Sequence, residues 1–141
     1  MTRLVIVAGL SVLSSPSLAY DDAQEIRLSV TGAEPATGQI LVSLFNSAES
    51  FLAAPVIETT VKVDRNGNAT ISLGRHTKGE YAIAIIYDKN NNGKLDTGVF
   101  RIPKEKTGFS NNASSKFGPA KWEKAKFSLT GSNASIEVHL K

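Results

Sequence analysis

The sequence predicts an all-β protein, a two-sheet antiparallel sandwich of the immunoglobulin or transthyretin type with a Greek key of about seven strands. Apolar and polar residues alternate with a period of two over several short segments, as in strands that bury one face. Turn residues separate these segments at short intervals, which favours a sandwich over a barrel. The chain has 141 residues and no cysteine, so neither disulfides nor thiolate metal sites support the fold.

The first 19 residues are typical of an export signal. A positive charge at Arg3 is followed by an apolar run, and Ser17-Leu18-Ala19 is a small-x-small cleavage site. A membrane-spanning helix needs about 20 apolar residues, roughly twice the length of this run. We therefore expect cleavage after Ala19 and export to the periplasm or the cell exterior. Residues 20–141 are expected to form one sandwich domain without a transmembrane span.

The predicted strands follow one another along the mature chain. EIRLSVT places Ile26, Leu28 and Val30 on one face, and GQILVSLFN follows after a turn rich in glycine and proline. VIETTVKVDRNGNATISL reads as a hairpin around Asn66-Gly67, because this dipeptide suits turns with positive φ. GEYAIAIIYD is the most apolar strand and is predicted to be buried on both faces. AKFSL and ASIEVHL close the sandwich.

Two short segments and one long loop interrupt the strand pattern. We predict a helical turn capped by Ser47 and ended by Pro55, and a second one near Pro119. Residues 97–120 lack periodicity, and structureless loops of this length are uncommon in compact domains unless they are functional or disordered. Three phenylalanines argue against disorder. We therefore predict an ordered loop, held against the sandwich by Phe109 and Trp122.

One constellation suggests cation binding. The run from Asp88 to Asp96 has the form D-x-N-x-N-G-x-x-D, which spaces oxygen ligands around one calcium ion, with Gly93 at the sharp turn. The candidate ligands are Asp88, Asn90, Asn92, Lys94 through its backbone carbonyl, and Asp96 directly or through water. The twelfth position of the loop, counted from Asp88, is Val99 and not the glutamate of an EF-hand. We therefore expect weak calcium binding. Glu105 is a candidate additional carboxylate.

The same residues allow two other interpretations. Asn and Asp side chains stabilise turns by accepting hydrogen bonds from their own backbone, so the loop is alternatively a plain Asx-rich turn. A hydrolase would use Asp88, Asp96 and Glu105 as paired carboxylates. A nucleophilic serine is not indicated, because Ser110 lies in G-F-S-N and not in G-x-S-x-G. A non-catalytic binding or structural module is the favoured reading.

Charge is distributed unevenly along the chain. Residues 101–141 carry eight basic and three acidic residues, whereas residues 20–100 carry seven basic and ten acidic ones. A basic surface suits an anionic partner, so we expect an anionic envelope polymer or a protein, and no nucleic acid. The candidate binding face consists of Arg101, Lys104, Lys106, Phe109 and Lys116.

The segment from Gly79 to Leu129 resembles the signature of an exported bacterial family, domain of unknown function 2141. Its pattern is G-x-Y-A, then the acidic loop, then P-x-E-x-x-G-F-S-N. The matching residues are Gly79, Tyr81, Ala82, Asp88, Asn90, Asn92, Gly93, Asp96, Pro103, Glu105, Gly108, Phe109, Ser110 and Asn111. Departures occur at Arg101, where the family usually has glycine, and at Trp122, where phenylalanine is usual. The resemblance implies an exported β-sandwich and brings no known activity.

Overall fold

The structure is a computed structural model and describes residues 22–95 and 104–141. Within them, eight strands form two packed sheets, which confirms the predicted all-β sandwich. The strands are β1 (Gln24–Thr31), β2 (Gln39–Phe45), β3 (Ile57–Lys62), β4 (Ala69–His76), β5 (Gly79–Asp88), β6 (Thr107–Phe109), β7 (Phe127–Leu129) and β8 (Ala134–His139). A 3₁₀ turn spans Ser110–Asn112, and helix α1 spans Trp122–Ala125.

The two sheets differ in size and are joined at one edge. One has the strand order β4-β1-β8, and the other has the order β3-β2-β5-β6, with β7 pairing with the start of β5. The β1–β8 pair is parallel, whereas the other strand pairs of the described residues are antiparallel. The backbones of Thr107 and Lys141 exchange two hydrogen bonds of 3.2 and 3.0 Å. The end of the chain therefore links the two sheets.

The alternating pattern of the sequence produces the main core between the sheets. Its fully buried members come chiefly from β1, β2 and β5, where every second residue points inward. They include Ile26, Leu28, Val30, Ile40, Val42, Leu44, Ile83, Ile85 and Tyr87. Such packing gives the fold its stability without covalent cross-links, since each buried aliphatic side chain contributes about 1.5–3 kcal/mol.

The long loop covers the outer face of the larger sheet with a second apolar cluster. Phe109 and Trp122 are 6% and 9% exposed and pack with Phe45, Ala82 and Ala125. The ring centroids of Phe51 and Trp122 lie 5.8 Å apart, edge to face. The prediction of an ordered loop is therefore confirmed over residues 104–120. The loop also contains a strand that the sequence did not indicate, β6, which pairs with β5.

Of the two predicted helical turns, one forms helix α1, and the other is a hydrogen-bonded turn in which Leu52 has φ +62°. The Ser47 Oγ atom accepts a 3.1 Å hydrogen bond from the backbone N–H of Ser50, which is the expected cap. The second turn, α1, begins after Lys121, so Pro119 lies before the helix rather than in its first turn.

Three predictions concern residues outside the described part of the chain: the signal segment 1–19, Asp96 and Arg101. Within residues 22–95 and 104–141, no helix is long and apolar enough to cross a bilayer.

Candidate functional site

The acidic loop begins where β5 ends, at Asp88, opposite Gln39 at the start of β2. The turn before β2 contacts the loop closely. A Cβ atom on Gly38 would lie 2.7 Å from the carbonyl oxygen of Asp88 and 2.8 Å from the Cα of Lys89, and Gly38 has φ +76°. Only glycine fits there without displacing the backbone. The start of the loop is thus fixed by the turn between β1 and β2.

Asp88 is a fully buried carboxylate that accepts three hydrogen bonds. Its Oδ1 accepts from the backbone N–H of Asn92 at 3.0 Å, and its Oδ2 accepts from the N–H of Gly93 at 2.8 Å. Gln39 Nε2 also donates to Oδ2, at 2.7 Å. Burial works to raise the pKa of Asp88, but the bonds from Gln39, Gly93 and Asn92 outweigh it, so the pKa lies below the ordinary 3.8. Asp88 is therefore ionised at neutral pH.

The two asparagines of the loop repeat the geometry of an Asx turn. Asn90 Oδ1 accepts the N–H of Asn92 at 3.3 Å, and Asn92 Oδ1 accepts the N–H of Lys94 at 3.1 Å. These bonds account for the shape of the loop without an ion. Amide and carboxylate oxygens have more than one acceptor direction, so the bonds do not exhaust their capacity to bind a cation.

Lys89, inside the loop, pairs with Glu34 of the turn between β1 and β2. The Lys89 Nζ atom lies 2.6 Å from Glu34 Oε1. The hydrogen bond that Lys89 donates to the Glu34 carboxylate raises the pKa of Lys89 above its ordinary value. This cation is therefore held toward a carboxylate outside the loop, and Asp88 keeps its own set of neutral donors.

Glu105 lies close to the pairing of β5 with β6, the strand that follows the acidic loop in the sequence. The N–H of Tyr87 donates to the carbonyl oxygen of Lys106 at 2.9 Å, which continues the β5–β6 pairing beyond Thr107. Glu105 lies in a bend just beyond this pairing. Within residues 22–95 and 104–141, however, no three His, Asp or Glu side chains group to hold a metal ion. Glu105 as an additional ligand stays a prediction.

An open cleft lies beside β6. Its volume is about 470 Å³, and it is lined by Glu105, Thr107, Ser114, Ser115, Lys116 and Lys141. Phe117, the chain neighbour of Lys116, has 97% of its surface exposed, and Lys116 Nζ lies 5.9 Å from the centroid of its ring. The lining thus combines three hydroxyl side chains and two lysines with the single carboxylate of Glu105.

Of the predicted binding-face residues that the structure describes, three are exposed and one is buried. Lys104, Lys106 and Lys116 are exposed, although Lys106 Nζ also donates to the carbonyl oxygen of Gly32 at 3.1 Å. Phe109 was wrongly assigned to this face, because its ring packs in the second apolar cluster and cannot contact a surface ligand. Phe117 is the exposed ring near the lysines, and Lys141 is a cleft residue that the sequence did not single out.

Residues 28–137 match the model of a family described as an uncharacterised protein conserved in bacteria, DUF2141. The chain belongs to the DUF2141 family. The matched span begins in β1 and ends in β8, so it includes both sheets, the acidic loop and the cleft strand β6. The resemblance stated from the sequence is thereby confirmed. A search among curated proteins found no match to the chain.

The GFSN signature that resembles DUF2141 has a structural role in this chain. Ser110 is fully buried, and its Oγ accepts the N–H of Ile83 at 2.9 Å and donates to the carbonyl oxygen of Ala125 at 2.5 Å. Asn111 has φ +59° and donates its side-chain amide to the carbonyl oxygens of Lys124 and Lys126. These bonds fasten β5, the long loop and α1 to one another. Ser110 therefore holds these elements together through hydrogen bonds, and its buried hydroxyl group has no access to a substrate.

Proposed function

We propose that this DUF2141 protein is an exported, non-catalytic module that binds an anionic polysaccharide in the cleft beside β6. The observation that carries the proposal is the cleft of about 470 Å³, where Lys116 and Lys141 accompany three hydroxyl side chains and outnumber the single carboxylate of Glu105. The export part rests on the charged, apolar and small-x-small order of residues 1–19. Mass spectrometry of exported protein that still begins at Met1 would contradict it.

The cleft chemistry favours a sugar acid over an apolar ligand. Lysine ammonium groups attract carboxylates or phosphates, and hydroxyls exchange hydrogen bonds with sugar hydroxyls. An exposed ring such as Phe117 offers an apolar face to a sugar ring, while its neighbour Lys116 supplies charge. The excess of basic residues after residue 100 adds long-range attraction for a polyanion.

Calorimetric titration with hyaluronan oligosaccharides, and with uncharged dextran oligosaccharides of equal length, tests the cleft. We expect binding of the charged probe only, with affinity that falls as salt rises. Lys116→Gln and Lys141→Gln should each weaken binding about 3- to 10-fold, by losing a contact of roughly 1 kcal/mol. Lys78→Gln, an exposed lysine in the turn before β5, is the matched control. Equal binding of the neutral probe, or equal effects of all three variants, would refute the proposal.

Hydrolysis is less well supported than binding. A general acid needs a pKa raised toward the working pH, whereas hydrogen bonds lower the pKa of Asp88. Asp88 is also fully buried, so it offers no surface to a substrate. A carboxylate pair would require Asp96, which lies outside the described residues.

As a second function we propose weak calcium binding by the loop from Asp88 to Asp96. The supporting observation is the ionised Asp88 carboxylate with the oxygens of Asn90 and Asn92 on the same loop. Carboxylate, amide and carbonyl oxygens are the ligands that calcium prefers, and few carboxylates imply low affinity. The carbonyl of Lys94 and the side chain of Asp96 would complete the set.

Calcium should stabilise the folded chain by mass action. At a concentration one hundred times the dissociation constant, the gain in unfolding free energy is about 2.7 kcal/mol. Thermal melts should then shift upward by several degrees, while magnesium should do less because it demands octahedral geometry. Asn90→Ala should weaken the response. Asp64→Asn should leave the calcium response intact. Asp64 accepts similar backbone hydrogen bonds, but it lies in the turn between β3 and β4, outside the loop from Asp88 to Asp96. A melt that neither calcium nor chelator moves identifies the loop as an Asx-rich turn only.

A further inference from the structure

We propose that the outer edge of β3 (Ile57–Lys62) pairs with the same strand of a second copy of this chain, forming an antiparallel dimer. β3 is the outermost strand of the larger sheet, and within the described residues it pairs only with β2. The proposal is independent of the ligand proposed for the cleft and of calcium binding.

The edge of β3 lacks most of the features that normally prevent another strand from pairing with an exposed edge. Edge strands are commonly protected by proline, bulges, very short length or charged side chains, and of these β3 has only the charges of Glu58 and Lys62. The six residues IETTVK contain no proline or glycine, and their register with β2 runs without a break from Ile57 to Lys62. Four of the six are β-branched, which favours an extended, pairing-competent backbone.

Exposed apolar surface adjoins this edge. Leu52 and Val56, in the segment just before β3, are 44% and 43% exposed. Val56 N–H donates to the carbonyl oxygen of Leu44 at 2.8 Å, which holds the bend before β3 against the end of β2. Single exposed apolar residues are ordinary, but here two large ones lie next to an open backbone edge. A second copy would cover part of this surface.

The charges of β3 are complementary to those of β3 in a second copy that runs antiparallel to it. Glu58, Thr60 and Lys62 are its exposed residues, and they alternate with half-buried ones. When two copies pair antiparallel about Thr60, Glu58 of each copy lies opposite Lys62 of the other, and such opposite pairs stabilise strand pairing. Parallel in-register pairing would place like charges opposite, and a shift of two residues would lose both ion pairs. Charge therefore selects one partner strand and one register.

The side chains on the inner face of β3 are also compatible with antiparallel pairing about Thr60. Ile57, Thr59 and Val61 are half-buried because the sheet ends at β3. Pairing about Thr60 sets Thr59 opposite Val61 of the second copy and extends the apolar face across the two-fold axis. A one-residue slip would place charged side chains against this face, because successive side chains point to opposite sides.

Sedimentation equilibrium with charge-swapped variants tests the dimer. We expect the wild-type protein to associate, and Lys62→Glu to weaken association at least roughly tenfold, since two attractive pairs become repulsive. The double variant Glu58→Lys/Lys62→Glu should restore association, because the pairs are re-formed with reversed signs. Lys78→Glu, a charge reversal away from β3, should leave association unchanged. A monomeric wild type, or a double variant as weak as the single one, overturns the proposal.

A single introduced cysteine gives a second readout, because the natural chain has none. In the proposed register residue 60 faces its own copy, with Cα atoms about 4.5–5.5 Å apart. This separation suits a disulfide. Under mild oxidation Thr60→Cys should form a covalent dimer, whereas Thr70→Cys, at an exposed position on β4, should not. Equal cross-linking of both variants, or of neither, contradicts the proposal.

Discussion

Replacing Phe109 with alanine is expected to lower the free energy of unfolding by about 3–5 kcal/mol. The ring is 6% exposed and belongs to the cluster that also contains Phe45 and Trp122. Its removal leaves a cavity on the outer face of the larger sheet, and β6 loses the side chain that packs there. Because Phe109 pairs with Ala84 in β5, the long loop should loosen together with this strand.

Phe117→Ala is the matched control for this experiment. Both phenylalanines lie in the same loop, but Phe117 is 97% exposed, so its truncation should change stability by less than about 0.5 kcal/mol. Urea unfolding followed by tryptophan fluorescence suits the comparison, because Trp122 lies in the affected cluster. Similar midpoints for the two variants would show that the loop does not contribute to the stability of the sandwich.

The second large effect is expected for Asp88→Asn, and it should depend on pH. The amide cannot accept from Gln39, Gly93 and Asn92 as the carboxylate does, and each hydrogen bond to a charged group contributes about 1.5–3 kcal/mol. We expect a loss of at least about 2 kcal/mol at pH 7. The folded pKa of Asp88 is depressed, so its contribution is present above the ordinary value of 3.8 and disappears as pH falls through the folded pKa.

Stability of wild type and Asp88→Asn should therefore differ most near neutral pH and converge below pH 3.8. Asp64→Asn is the control, since Asp64 uses one oxygen, Oδ1, for the N–H groups of Asn66 and Asn68. An amide oxygen can replace that acceptor, so a small effect is expected. A gap between wild type and Asp88→Asn that is constant across pH would contradict ionisation of Asp88 as its cause.

The strands in which apolar and polar residues alternate were predictable, because this pattern involves only residues that are close together in the sequence. In β1, β2 and β5 the inward residues alternate along the sequence, and the core uses the same residues. The Asx spacing from Asp88 to Asn92 likewise predicted a turn of side-chain oxygens, since each hydrogen bond spans two to five residues. Buried Ser110 was recognisable only as part of a family signature, because its partners Ile83 and Ala125 are distant in the sequence.

Other features depend on contacts that are remote in sequence. β6 has three residues, too few for a periodic signal, and becomes a strand because β5 offers it a partner edge. Phe109 and Phe117 are alike in local sequence, and only the position of the outer sheet face decides that one is buried and the other exposed. Parallel pairing of β1 with β8 joins segments about a hundred residues apart, as in Ile26 with Ala134.

The sequence by itself determined the class of fold, the strands of the main core and the acidic turn, because those depend on side-chain alternation and on short-range hydrogen bonds. Tertiary structure alone decided how the long loop folds, which lysines line a cleft and which strands lie at the edges of the sheets. Those properties arise from packing between residues such as Thr107 and Lys141, whose two backbone bonds no local pattern specifies.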